Sequence, residues 1–145
     1  YDDFNFFIPA NKIRSFVWNI YAPHYIEMAK TRAYKEDERA KSAWYTLHST
    51  LKAILLLIAP ITPFIADRVW RTIYGCTIWK EVFPKENELA DPELTKLTEE
   101  LISFNHMVWK EKKKRGLSLK DPILIEIPYS LSPFKEDLIE MHHIK

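Results

Sequence analysis

The sequence predicts a mainly α fold, an antiparallel helical bundle with a small α/β C-terminal tail. Three observations carry this. Apolar residues recur at i, i+3, i+4 and i+7 through several long stretches, the period of one helix face. Prolines and glycines fall between those stretches rather than inside them. And 145 residues contain only 2 glycines, far below the average of about 7%, which removes Gly-rich phosphate loops and most tight-turn all-β architectures.

The first helix spans 10–21, with Ile13, Phe16, Val17, Ile20 and Tyr21 on one face. Pro23 lacks an N–H and disfavours helix at Ala22, so a break or kink is expected there, with the helix resuming over 24–34. Residues 36–59 carry the strongest pattern: Ala40, Ala43, Trp44, Leu47, Leu51, Ile54, Leu55 and Ile58 line one face, and Leu56 and Leu57 make the end apolar all round. Pro60 ends this helix and Pro63 opens the next, 64–74, with Ile65, Val69, Trp70 and Ile73 inward and Gly75 as its stop. A loop follows over 76–92, in which Trp79, Phe83 and Pro84 are expected to fold back on the bundle and Glu86, Glu88 and Asp91 form an acidic run. Asp91 before Pro92 reads as a cap and first turn, opening a helix to Arg115 with Leu94, Leu97, Leu101, Phe104 and Val108 on one face and Gly116 as its end. Residues 123–127 are short and β-branched and read as a strand; 133–143 read as a last short helix. The chain divides into a bundle portion, 1–90, and a C-terminal portion, 91–145, made of the basic-ended helix, the strand and the final helix.

Charge is balanced, with 21 Lys and Arg against 20 Asp and Glu, so only local charge can indicate a partner. One cysteine, Cys76, makes neither an internal disulfide nor a thiolate metal site, which fits a reducing compartment; cytoplasm is the expected location. The most apolar run, Ala53–Ala66, is 14 residues, against about 20 for a bilayer span, and two prolines interrupt it. No signal peptide is apparent, and a start on Tyr1 rather than Met suggests a segment of something longer.

Catalytic constellations are weak. His24, His48, His106, His142 and His143 form no metal-ligand spacing; His48 reads as structural or surface, and the His142–His143 pair as a flexible end. Carboxylates such as Glu36, Asp37, Glu38, Glu99 and Glu100 read as solvated charge. The basic features are more informative. Lys110, Lys112, Lys113, Lys114 and Arg115, with Glu111 among them, put five positive charges and one negative at a helix end. Such a cluster either compensates the helix dipole or contacts phosphates by releasing counterions. Lys30, Arg32, Lys35, Arg39 and Lys41 form a second, mixed patch. Phe16, Trp44, Trp70 and Phe104 fit core positions, whereas Trp18 and Trp109 lie off the main stripes and are candidates for a second interface.

Residues 16–34 (FVWNIYAPHYIEMAKTRAY), then 55–74 (LLLIAPITPFIADRVWRTIY) and 79–84 (WKEVFP), resemble the anticodon-binding helical domain of class I aminoacyl-tRNA synthetases of the valine, isoleucine and leucine group. The run 105–123 (NHMVWKEKKKRGLSLKDPI) is similar to the valyl enzymes' segment after that domain. The resemblance implies a tRNA-binding piece of a valyl-type synthetase, without its own catalytic residues, cofactor or metal. ATP and Mg belong to the parent enzyme, whose HIGH and KMSKS motifs are absent here. It implies tRNA as partner, with Lys110, Lys112, Lys113, Lys114 and Arg115 as a backbone clamp and Lys30 and Arg32 as second choice. It further implies contact with the catalytic and preceding helical segments, because the domain's opening helix pair is only faintly echoed at Asn11–Arg14. That would leave an apolar face uncovered and open to self-association. The alternative is a stand-alone helical protein-protein interaction module; a small helical enzyme has no constellation behind it.

Overall fold

The computed structural model describes residues 1, 3–85 and 91–145. It opens on a continuous helical rod: α1 (Phe7–Phe16), a π-helical stretch (Val17–Ile26) and α2 (Glu27–Ala33). The sequence led us to expect a break or kink at Pro23, but the chain stays helical through it. A proline ring crowds the carbonyl four residues back and supplies no donor; the wider π turn accommodates that clash while the chain stays helical. α3 (Glu38–Ile58) begins at Asp37, whose carboxylate accepts from the Ala40 N–H at 2.9 Å.

The rod and α3 run antiparallel. Tyr1 donates to the Leu57 carbonyl (2.6 Å), and near the far end the Trp44 Nε1–H donates to the Ala33 carbonyl (2.9 Å). That bond holds Trp44 at the surface, 49% exposed, rather than in the core; Phe16 is also half out. α4 (Pro63–Tyr74) ends at Gly75, whose φ of +71° a Cβ would strain. Its buried face is Ala66 and Trp70; Ile65 and Ile73 point outward, so the inward stripe is narrower than the sequence suggested. Ile78, in the short turn Ile78–Lys80, plugs this region, and the Asp67 carboxylate ties the turn down by accepting from the Thr77 hydroxyl and the Ile78 N–H. Trp79 and Phe83 stay largely exposed instead of folding back, although Phe83 meets Tyr1 edge-on. Glu86 and Glu88 lie outside the described residues.

Asp91 caps α5 (Pro92–Lys96) as expected, accepting from the Glu93 N–H at 2.8 Å. The predicted single helix is two, because the chain tightens at Leu97 before α6 (Thr98–Lys114). Residues 123–127 do not make a strand. Ile123 forms one isolated parallel bridge to Ile144, and among the described residues no sheet exists, so the expected α/β tail is a bridge followed by a 3₁₀ turn (Tyr129–Phe134) and α7 (Lys135–His142). With one partner residue and Pro128 close behind, the run cannot extend a ladder.

Among the described residues, two apolar clusters result. One joins Leu55, Leu56, Ala59, Ala66, Trp70 and Ile78 at the α3–α4 corner. The other gathers Met28 of α2 with Leu101, Phe104, Val108, Ile123, Leu131 and Leu138, so the C-terminal segment packs onto the rod.

Candidate nucleic-acid interface

α6 ends in a Schellman motif. The Leu117 N–H bonds the Lys112 carbonyl (2.9 Å) and the Gly116 N–H bonds the Lys113 carbonyl (3.1 Å), with Gly116 at φ +67°. The chain then turns at 118–121, where the Asp121 carboxylate accepts from the Ser118 N–H at 2.6 Å. This loop folds back over Lys112. The side chain is fully buried, and its ammonium donates to the carbonyls of Leu119 (2.6 Å) and Asp121 (2.7 Å). Burial pushes its pKa down, with Asp121 opposing. Lys112 is thus not a surface cation, and the expected clamp loses it. A sequence signal was available: Lys112 continues the Leu101, Phe104, Val108 stripe at helical spacing.

Lys110, Lys113 and Lys114 are exposed and have no ion-pair partner among the described residues. Arg115 is exposed but pairs with Glu111 at 2.8 Å, and that guanidinium holds the Glu111 carboxyl below its usual range. Three exposed lysines therefore present positive charge near the helix end, with Lys114 close enough to help hold the Glu111 carboxyl down.

The second basic patch is paired with carboxylates of the same chain. Lys30 pairs with Glu27 (2.8 Å). Arg32 Nε lies 3.0 Å from the Asp137 carboxylate, off the N–H direction, so the contact is ionic rather than a straight hydrogen bond. Lys35 pairs with Glu140 and Arg39 with Glu136. Arg32, Lys35 and Arg39 thus form a seam that docks α7, and little of their charge is left for a ligand.

Behind α6 sits a buried polar cluster that the sequence did not reveal. The Asn105 amide bridges two rings: its Nδ2 contacts His24 Nδ1 at 2.9 Å and its Oδ1 meets His142 Nε2 at 2.7 Å. Trp109, a candidate for an outer interface, instead stacks on His24 with ring centroids 5.2 Å apart. His142 is 1% exposed, not a flexible end. Burial, with help from the Lys112 charge, pushes its pKa down to about 4, and burial also lowers that of His24. The rings are held apart by the amide, and no group of His, Cys, Asp or Glu able to hold a metal occurs among the described residues.

The fold is a glycine-poor helical bundle in which the end of α6 carries exposed lysines. Residues 1–127 match the family described as the anticodon-binding domain of tRNA ligase, and the chain belongs to that family. It is 40% identical over 143 residues to the valine-tRNA ligase of Nanoarchaeum equitans, covering 99% of this chain and 18% of the relative. It is 33% identical over 154 residues to that of Pyrobaculum aerophilum, covering 99% and 19%. The chain thus spans less than a fifth of the length of these relatives. No solved structure matches significantly.

Proposed function

We propose that this chain is the tRNA-binding portion of a valine-tRNA ligase, a cytoplasmic translation enzyme, and that it holds the anticodon arm while a catalytic region outside these residues performs ATP- and Mg-dependent aminoacylation. The family match over 1–127 is the observation that carries the reading. The unpaired cations Lys110, Lys113 and Lys114, with Arg115 beside them, are the proposed phosphate contacts; Lys112 supports the corner on which they stand. Lys30 and Arg32 remain the second choice, because each already pairs with a carboxylate. A stand-alone protein-docking module is not favoured by the family match.

The test is a filter-binding titration against tRNA over a range of salt. Roughly four phosphate contacts give a slope of about −3 to −4 in log affinity against log salt. Reversing Lys113 and Lys114 to Glu is expected to weaken binding and flatten that slope by about 2. Undetectable binding at low salt overturns the reading.

We further infer that the exposed apolar residues at the rod's start and on α4, Phe4, Phe7, Ile8, Phe64 and Ile65, are covered in the parent enzyme by its preceding helical and catalytic segments. In isolation they are open to a second copy of the chain.

A further inference from the structure

We propose a second RNA contact on the rod, at Trp18, that takes an unpaired base; it rests on the tRNA-binding reading and adds a site to it. Trp18 is 77% exposed. It lines a cup of about 150 Å³ with Asn11, Arg14, Ser15 and Asn19. Asn11, Arg14, Ser15 and Trp18 stand at i, i+3, i+4 and i+7, which places them on one helix face.

Each group has a use toward a nucleotide. The indole offers a flat π surface, and base-on-aromatic stacking is tolerant of sequence because every base has a π face. Arg14 has no ion-pair partner among the described residues, so its charge is available to a flanking phosphate. Asn11 donates its Nδ2 to the Phe7 carbonyl (3.0 Å) and Asn19 its Nδ2 to Ser15 Oγ (3.1 Å). Those bonds orient the amides and leave both Oδ1 atoms as acceptors for a base edge.

Local charge points the same way. No Asp or Glu occurs between Asp3 and Glu27, in a chain with 20 acidic residues, while Lys12 and Arg14 fall in that interval. A protein-docking hot spot centres a Trp in an apolar patch with polar groups at the rim. Here the Trp is ringed by amides, a hydroxyl and a cation, which suits a polar, anionic ligand with one flat apolar face.

The test uses the 145-residue chain with tRNA and with an unstructured ten-nucleotide oligouridylate, read by fluorescence anisotropy, alongside Trp18→Ala and Trp18→Phe. Trp18→Ala is expected to weaken both RNAs by about 5- to 150-fold, with the salt slope unchanged. Trp18→Phe is expected to recover most of the loss, and neither variant to shift the melting temperature, because the side chain is exposed. If Trp18→Ala binds both RNAs as the native chain does, the site is overturned; weaker tRNA binding by Lys113→Glu/Lys114→Glu in that case leaves the broader function standing. If the native chain binds oligouridylate through Trp18 but not tRNA, the site stands and the broader function falls. Binding to neither RNA overturns both. A Trp18→Ala effect confined to self-association also overturns the site, since it assigns the indole to a protein contact.

Discussion

The Lys112 ammonium leaves water altogether, and two carbonyl oxygens from one turn replace its hydration. A buried cation is tolerated when its donors are matched, and removing it strands the acceptors. Lys112→Met keeps much of the stem but loses both bonds; it is expected to destabilise the chain by about 2 kcal/mol, read as a lower melting temperature. Amide exchange should accelerate first at residues 117–121. Alanine at Lys113 or Lys114, by contrast, should change stability by less than about 0.5 kcal/mol. Asn105 shares this logic. Both residues lie on the buried stripe of α6, where a polar side chain among apolar ones signals a buried network rather than a solvated face. The charge cluster at 110–115 masked that signal, because composition counts cations without assigning them to faces.

At the scale of elements, helices with long, uninterrupted apolar periods were legible: α3 and α4, the Asp91 cap and the stops at Gly75 and Gly116 all stand where their residues placed them. What the sequence could not supply was pairing. The basic residues of the rod and α3 read as a ligand patch until α7 brought Glu136, Asp137 and Glu140 against them. Residues 123–127 read as a strand because β-branched alternation says nothing of whether a partner strand exists. The Trp18 cup was half visible, as an off-stripe aromatic, but its polar ring required the helix geometry.

α7 also depends on protonation. His142 titrates near 6.5 when unfolded and at about 4 when folded, so the unfolded chain takes up the proton first. Its contribution is complete above about pH 6.5 and is lost as pH falls toward 4, a decline on the order of 2 kcal/mol after allowing for screening. His24 acts in the same direction; Asp137, whose pKa burial raises despite Arg32, opposes it. Thermal melts from pH 7.5 to 4 should show the loss, and His142→Gln should flatten it. An unchanged profile in His142→Gln refutes the assignment.

The whole molecule exposes 10,738 Å², whereas a folded monomer of its mass is expected to expose roughly 7,800 Å². The surplus, roughly 2,900 Å² on one chain, is at least as large as the roughly 1,000–2,500 Å² that each partner buries in an obligate interface. A cleft of about 340 Å³ between the rod, α3, α6 and α7, lined by Phe16, Ile20, Leu101 and Phe134, adds further open apolar surface. The isolated chain is therefore expected to self-associate as concentration rises, measured by size-exclusion chromatography with light scattering; a clean monomer at high concentration refutes this.

The seam between the rod and α7 bears on how the RNA measurements are read. Added salt competes with phosphate contacts, but it also screens the exposed Arg39–Glu136 and Lys35–Glu140 pairs that hold α7. The more sheltered Arg32–Asp137 pair is affected less. Ionic strength thus loosens the receptor while it weakens the ligand's grip, and part of any steep salt slope can originate within the protein itself. Circular dichroism melts at each salt concentration separate the two contributions.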